Sequence, residues 1–285
     1  MDGILLMLAS DVTFAIMAAA MKFTGQTLPA VEVVFIRSAV SLLALTVILR
    51  SQKISLIARE PGLLWARGVI GYLALQSYFW ALPQIALGTA VMLNYTAPVF
   101  AVILSFFFLR EKSPSAVKLF LAVSFVGVYL LCSPEIGGKP WPLLAGLLSG
   151  LLAGSVHVMI RQGNRSDSPL LIIFYFAFCS TIGSGCLLLF RGWQTPTGPE
   201  WLGLLVITLT SFAGQLFLTY ALQKAPVWVV SPFGYFTPVL GLWLGWWLWG
   251  EKIGALSVIG SALVIVSGSV MLNFFRRLKK IPQAT

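Results

Sequence analysis

Ten stretches of mainly apolar residues follow one another along the chain, separated by short breaks that contain proline or polar residues. About 20 apolar residues in a helix, at about 1.5 Å per residue, span the hydrocarbon core of a bilayer. Several breaks place a proline at or just before a helix start, where its missing N–H group costs no hydrogen bond. The pattern predicts ten transmembrane helices, at residues 3–22, 30–49, 62–82, 87–109, 114–133, 141–161, 169–190, 201–222, 227–249 and 253–275.

The composition agrees with this pattern and argues against a soluble domain. Of the 285 residues, 58% are hydrophobic and 10% are charged, whereas a soluble domain carries about 25% charged residues. The three cysteines lie inside apolar runs, at spacings typical of neither a disulfide framework nor a metal site. No cofactor motif is present in the sequence. We therefore expect an all-α integral membrane protein embedded in the lipid bilayer.

Basic residues determine the expected orientation. The net charge of +10 is spread singly between apolar runs, which favours control of topology over binding of nucleic acid. With the N-terminus in the cytoplasm, fourteen Lys and Arg residues fall on the cytoplasmic side and four on the outer side. The cytoplasmic set is Arg50, Lys53, Arg59, Arg67, Arg110, Lys112, Lys118, Arg161, Arg165, Lys224, Arg276, Arg277, Lys279 and Lys280, and the outer set is Lys22, Lys139, Arg191 and Lys252. We expect a multi-pass protein of a bacterial inner (cytoplasmic) membrane with both termini cytoplasmic.

An internal repeat gives this topology a functional meaning. Residues 81–112 and 221–252 lie 140 positions apart and share a tyrosine, a mid-helix proline and a final Glu-Lys pair. The offset spans five helices, an odd number, so the second copy enters the membrane upside down. We expect two inverted five-helix repeats, at 1–135 and 136–285, around a central cavity. Inverted repeats are typical of secondary transporters with a substrate site near the midplane.

The residues that repeat also resemble a known family. The sequences ALPQIALGTAVMLNYTAPVFAVILSFFFLREK and SPFGYFTPVLGLWLGWWLWGEK are similar to the fourth and ninth helices of the drug/metabolite transporter superfamily, in its EamA-like branch. The resemblance implies a basket of helices around a central cavity, with the fifth and tenth helices peripheral and able to form a homodimer contact. It also implies transport of amino acids or other metabolites. The branch includes exporters as well as importers such as riboflavin uptake proteins.

Two opposite charges fall inside predicted spans at similar depth, Asp11 in the first and Arg37 in the second. Charge inside a membrane is costly and indicates a functional site by default. Arg37 could bind a substrate carboxylate or exchange between it and Asp11, or the two residues could only neutralise each other and join two helices. Glu32, one turn into the second span, could exchange protons, although a favourable interaction with the helix dipole explains it more simply.

Polar and aromatic side chains on three spans are candidates to line the cavity. Residues at i, i+4 and i+8 share one helix face, and proline frees a backbone carbonyl that needs protein or a wet cavity to satisfy it. The alternative is plain packing or placement at the membrane interface. The candidates are Tyr72, Gln76, Tyr78 and Trp80 on the third span, Asn94, Tyr95 and Pro98 on the fourth, and Tyr235 and Pro238 on the ninth. We expect the two prolines to bend helices that act as gates.

Two further polar residues and a row of glycines lie in the second half. His157, the one histidine, could relay protons or could be an interface residue near Arg161. Gln215 is another cavity candidate. Small residues four apart allow close helix packing, which is how we interpret Gly146, Gly150 and Gly154.

These observations favour a secondary transporter that exports amino acids or related metabolites by alternating access. The sequence has no ATP-binding P-loop, so the energy must come from a gradient, for example of protons, or from exchange. One alternative is an uptake permease for a vitamin or other organic metabolite. Another is an intramembrane enzyme that uses Asp11, Arg37 and His157, against which the lack of a recognisable catalytic motif argues.

Overall fold

The computed structural model describes residues 2–110, 114–132, 140–164, 166–251 and 253–280. Within these ranges the chain is helical and contains no β-strand. Its helices are α1 (Asp2–Thr24), α2 (Ala30–Ser51), α3 (Pro61–Ala81), α4 (Leu87–Asn94), α5 (Ala97–Phe108), α6 (Ser115–Cys132), α7 (Pro140–Gly163), α8 (Pro169–Arg191), α9 (Gly198–Lys224), α10 (Val227–Val230), α11 (Phe236–Trp249) and α12 (Ala255–Lys280). Short 3-10 turns occupy Leu82–Gln84 and Ser231–Tyr235.

The helix bounds follow the apolar stretches of the sequence closely. Among the described residues, seven helical segments are long and apolar enough to span a membrane: α1, α2, α4 with α5, α7, α8, α9, and α10 through α11. Helix α3 is not one of them, because polar residues such as Arg67 and Gln76 lower its mean hydropathy. Shorter apolar segments lie in α6 and α12. The structure therefore supports an all-helical, multi-pass membrane protein.

The outward-facing side chains are those expected in contact with lipid. Large apolar residues are exposed around the bundle, whereas a soluble monomer rarely exposes contiguous apolar patches of this kind. Leu43, Val47, Phe107, Phe108, Leu189 and Phe190 are each more than half exposed. Many polar and charged side chains are instead buried between helices. The polar chemistry of the molecule is thus concentrated inside the bundle.

The fourth and ninth apolar stretches are both broken in the middle. In the fourth stretch α4 ends at Asn94 and α5 begins at Ala97, with Pro98 in the first turn of α5. The Thr96 hydroxyl donates to the Leu93 carbonyl at 2.8 Å, which satisfies one acceptor at the end of α4. In the ninth stretch a 3-10 turn, Ser231–Tyr235, separates α10 from α11, and Pro238 follows in the first turn of α11. The breaks therefore occur just before the two prolines.

The two halves of the chain interlock through pairs of helices. The most extensive packing joins α1 to α9, α3 to α7, α6 to α12 and α2 to α8. The Ser10 hydroxyl donates to the Gly214 carbonyl at 3.0 Å between α1 and α9, and Ser124 donates to Ser267 at 3.1 Å between α6 and α12. Each pair takes one helix from the first 132 residues and one from the rest. The two halves therefore share one extensive interface.

The glycine row of α7 lies against the break between α4 and α5. A Cβ atom added at Gly150 would collide with the Thr96 side chain and the Leu93 carbonyl, and one at Gly154 would lie 2.6 Å from the Phe100 Cβ atom. The predicted role of these glycines in close helix packing is what the structure shows. They let α7 support the broken helix directly.

Candidate functional site

A cavity of about 120 Å³ lies in the middle of the bundle, between the two halves. It has room for several water molecules or for part of a small organic molecule. Helices α1, α2 and α3, the break between α4 and α5, helices α7, α8 and α9, and Gly234 of the 3-10 turn contribute to its wall. Eight of the residues singled out from the sequence line it: Asp11, Arg37, Tyr78, Asn94, Tyr95, Pro98, His157 and Gln215.

Five other candidates lie elsewhere. Tyr72 is buried with its ring against the backbone of Gly183 on α8. Gln76 and Trp80 line a second, open hollow of about 510 Å³ near the C-terminal ends of α3 and α8. Tyr235 is fully buried in an apolar cluster, and Pro238 is buried in α11. The structure therefore does not bring these five residues to the central cavity.

Asp11 is held by the second half of the molecule. The Thr237 hydroxyl on α11 donates to Asp11 Oδ1 at 3.0 Å, while Asp11 Oδ2 is buried without a hydrogen-bond partner in the described part of the chain. The proposed ion pair between Asp11 and Arg37 does not form among these residues, although both side chains line the cavity. The Thr237 hydroxyl also lies within hydrogen-bond distance of the Asp11 backbone carbonyl, at 3.3 Å. The first and ninth apolar stretches are thereby joined at the cavity wall.

Arg67 is the cavity residue that the sequence analysis missed. Its side chain is 1% exposed, so counting it among the cytoplasmic loop charges was wrong. Its guanidinium lies 4.3 Å from the centre of the Phe176 ring, and Nη2 donates to Gln215 Oε1 at 3.1 Å. The available signal was its position inside the predicted span 62–82, where a charge indicates a site by the same argument as for Asp11.

Arg37 approaches the same aromatic ring from α2. Its guanidinium lies 5.5 Å from the centre of the Phe176 ring, and the residue is 3% exposed. Cation–π contact stabilises a buried guanidinium but does not replace hydrogen bonds to its N–H groups. Arg37 Nε, Arg67 Nε and Arg67 Nη1 have no hydrogen-bond partner within the described ranges. The cavity wall therefore contains two arginines whose buried N–H groups lack an acceptor in the described part of the chain.

Neutral polar groups complete the wall. Asn94 Nδ2 donates to Ser149 Oγ at 2.9 Å, which orients the amide at the end of α4. His157 is placed in the cavity and not at the membrane interface, and its Nδ1 atom has no partner in the described part of the chain. Gln215 is oriented by Arg67. These groups can donate or accept hydrogen bonds without adding charge.

Three charged residues outside the cavity, Lys22, Glu251 and Glu32, make contacts elsewhere in the bundle. Lys22 forms an ion pair with Glu251, which also accepts from the Leu87 backbone N–H at 3.5 Å. Glu32 accepts from the Gln194 backbone N–H at 2.7 Å and lies outside the cavity wall. The remaining members of the repeated Glu-Lys pairs, Glu111, Lys112 and Lys252, lie outside the described residues. The pair of Lys22 and Glu251 joins α1, α4 and the end of α11 at one end of the bundle.

Comparison with known proteins identifies a family of transporters. The sequence model of the EamA-like transporter family matches residues 1–133 and 140–274. The chain is 33% identical over 268 residues to the pseudopaline exporter CntI of Pseudomonas aeruginosa, covering 93% of this chain and 94% of that protein. It is 24% identical over 273 residues to the riboflavin transporter of Vibrio cholerae, covering 94% and 91%. A solved crystal structure superimposes with a TM-score of 0.79 at 20% identity, over 98% of this chain and 99% of that one, which shows the same fold.

Proposed function

Because this chain belongs to the EamA-like transporter family, we propose that it is a secondary transporter that exports amino acids or related small metabolites across the inner membrane by alternating access. The observation that carries the proposal is the central cavity between the two halves, whose wall holds buried charged groups with free hydrogen-bonding atoms. Enclosed sites that combine apolar walls with a few convergent polar groups are typical of small-molecule binding. Relatives named as transporters of small solutes support the same class.

Alternating access would rest on two inverted five-helix repeats, at 1–135 and 136–285. A twofold axis in the membrane plane would exchange α1 with α7 and α3 with α9, so the pair α1–α9 should have α7–α3 as its counterpart. It would also pair α2 with α8 and α6 with α12. These four pairs are the most extensive in the molecule, which supports the proposal. The two matches to the family fall one in each proposed repeat.

The orientation follows from the basic residues. Removing Arg67 from the cytoplasmic set leaves thirteen Lys and Arg residues on that side and four on the other. The excess still favours cytoplasmic termini. The pair of Lys22 and Glu251 then lies at the outer end, where it holds α1 to the end of α11. In this proposal an inward-open state keeps that ion pair and an outward-open state breaks it.

Transport should be tested with the purified protein in proteoliposomes. Vesicles loaded with an unlabelled solute are assayed for counterflow of the same labelled solute, with a panel of amino acids, methylated cations and riboflavin. We expect exchange of at least one amino-acid-type solute above the level in empty liposomes. Exchange of no solute at all would overturn the transporter proposal. Turnover of a solute into a new compound would instead favour the enzyme alternative.

Direction requires membranes of known orientation. An exporter accumulates solute in inside-out vesicles energised by an imposed proton gradient, whereas an uptake permease accumulates it in right-side-out vesicles. The name of the riboflavin relative keeps uptake as the second candidate. Gradient-independent exchange in both vesicle types would argue against proton coupling and leave exchange as the mechanism. Cross-linking between single cysteines on α12 in membranes tests the proposed homodimer.

A further inference from the structure

The distribution of charge in the cavity wall carries information about the solute. Among the described residues, three side chains of the wall have formal charge: Asp11, Arg37 and Arg67. Two positive charges and one negative charge leave a formal charge of +1. A buried charge is costly unless it is paired and its hydrogen-bonding atoms are satisfied. An anionic solute could supply the missing partner.

The described residues supply no second anion to this wall. Glu32 is bound by the Gln194 backbone N–H, Glu200 accepts from the Thr197 backbone N–H, and Glu251 is paired with Lys22. Asp11 is directed to Thr237, and it forms no ion pair with either arginine in the described part of the chain. The arginines therefore remain without a carboxylate partner.

The two guanidiniums are positioned together by one ring. Both lie over Phe176, at 5.5 Å for Arg37 and 4.3 Å for Arg67, and both side chains are almost fully buried. The positive charges of the two guanidiniums, both beside the same ring, repel each other, and bound carboxylates would relieve the repulsion. Gln215 accepts from Arg67 Nη2, whereas the buried Arg67 Nε and Nη1 have no acceptor among the described residues. Arginine is the side chain best suited to donate to carboxylates.

We propose that the cavity selects amino compounds that carry at least two carboxylates and one ammonium group, with a net charge of −1 or more negative. The carboxylates bind Arg37 and Arg67, and the ammonium group meets Asp11 Oδ2, the free oxygen of that carboxylate. Neutral groups such as Asn94 and His157 bind the remaining polar atoms of the solute. This inference rests on the proposed transport function and specifies the solute class of the same site.

The charge requirement can be tested with solutes of matched size. Glutamate and glutamine differ by one carboxylate, and glutamate and glutarate differ by the ammonium group. The dipeptides Glu-Glu and Gln-Gln repeat the first comparison in a larger solute. In proteoliposome exchange we expect each acidic amino compound to compete at least tenfold better than its amide, and glutamate to compete better than glutarate. Equal competition by amide and acid would overturn the carboxylate assignment, and equal competition by glutarate would overturn the ammonium assignment.

Variants assign the effect to the arginines. Arg67→Gln should lower the preference for glutamate over glutamine about tenfold or more, because one buried carboxylate loses its charged partner. Arg67→Lys keeps the charge and should retain part of the preference, and Arg37→Gln tests the second arginine. Lys118→Gln, which removes an exposed charge outside the cavity, is the matched control. An unchanged preference in both Arg→Gln variants would overturn the proposal.

A second measurement distinguishes loss of solute binding from loss of stability in these variants. The thermal unfolding midpoint of each variant in detergent is measured with and without glutamate. We expect glutamate to stabilise the wild type and Lys118→Gln, and not to stabilise Arg67→Gln, even if that variant is itself less stable. One outcome would refute the charge inference and leave the transporter proposal standing: neutral amino acids are exchanged, while no acidic probe is exchanged or stabilises the protein. If glutamate stabilises the protein but no solute is exchanged, the transporter proposal is refuted and the charge inference stands.

Discussion

The fourth and ninth apolar stretches are both broken just before a proline, but the two breaks differ in chemistry. The first break, between α4 and α5, points Asn94 and Tyr95 into the central cavity. The second break, at the 3-10 turn before α11, contributes Gly234 to the cavity, and Tyr235 points into an apolar cluster with no exposed surface. The tyrosines that align in the sequence repeat are thus a cavity residue in one half and a core residue in the other.

The difference follows from how the breaks face each other. A Cβ atom at Gly234 would lie 3.2 Å from Met7 Cε, 3.6 Å from Pro98 Cγ and 3.7 Å from Tyr95 Cε1. Gly234 of the second break therefore packs beside Pro98 and Tyr95 of the first break, and only Met7 of α1 would crowd a larger residue there. All three charges of the wall also come from the first half. A sequence repeat can place a break at the same position in both halves while the charged side chains of the described wall come from one half.

The largest expected effect comes from breaking the support of the first bend. Gly150→Leu should reduce the free energy of unfolding by about 3 kcal/mol or more, or prevent folding, because overpacking against the Thr96 side chain and the Leu93 carbonyl cannot relax easily. Yield of monodisperse protein and thermal unfolding in detergent measure the effect. Gly62→Ala is the control, since nothing lies within 4 Å of a Cβ atom there. A Gly150→Leu protein with normal yield, stability and transport would contradict the close packing of α7 on the bend.

The next effect concerns the hydrogen bond that joins the two halves at the cavity. Thr237→Val should cost about 1.5–3 kcal/mol, because it leaves the buried Asp11 carboxylate without its donor at 3.0 Å. Denaturant unfolding in detergent measures the loss. Thr210→Val serves as the control, because the Thr210 hydroxyl donates only within its own helix, to the Val206 and Ile207 carbonyls. Equal losses in the two variants would show that the bond across the halves contributes nothing specific.

A smaller effect separates the two tyrosines directly. Tyr95→Phe should weaken solute binding about threefold to tenfold, the equivalent of one hydrogen bond. Tyr235→Phe should leave transport unchanged and stability equal or slightly higher, because the Tyr235 hydroxyl is buried without a partner among the described residues. Competition in proteoliposome exchange measures the first change and thermal unfolding the second. Loss of binding in both variants, of similar size, would mean that the two halves contribute alike.

The smallest effect is expected at the ion pair of Lys22 and Glu251. Their side chains are 11% and 21% exposed, so partial screening should limit the coupling energy to about 0.5–1 kcal/mol. A double-mutant cycle with Lys22→Gln and Glu251→Gln measures that energy in thermal or denaturant unfolding. If the pair closes the outer end, both variants should also label more readily from outside at cavity positions. Additive unfolding energies together with unchanged labelling would exclude a closing role.

Much of the fold was predictable because a bilayer imposes simple rules on sequence. Apolar stretches of about 20 residues predicted helix positions, and prolines predicted where two of these stretches break. The cavity was predictable in part: Asp11 and Arg37 stood out because charge is rare in such stretches. What could not be predicted was their partners, since the bond from Thr237 to Asp11 joins residues 226 positions apart.

The candidates that do not line the cavity show what the sequence could not predict, namely which neighbour each side chain contacts. Tyr72, Gln76 and Trp80 share a helix face by spacing, but spacing does not say which neighbour that face meets, and α3 directs them away from the cavity. Arg67 was missed because a charge near a helix end was counted as a topology signal although it lies in the cavity wall. Tyr235 was wrongly predicted to line the cavity, because its alignment with Tyr95 indicates an equivalent position in the repeat and does not indicate which residues surround it.

The claim that this cavity carries the solute is tested most directly by labelling one of its residues. Ala153 lines the cavity and is small, so Ala153→Cys can be introduced into a chain whose three native cysteines are replaced by alanine. Labelling by a membrane-impermeant maleimide is then followed in inside-out and right-side-out vesicles. The account predicts reaction from both sides and a slower rate when an exchanged solute is present. Reaction from one side only, or rates that no exchanged solute alters, would contradict it.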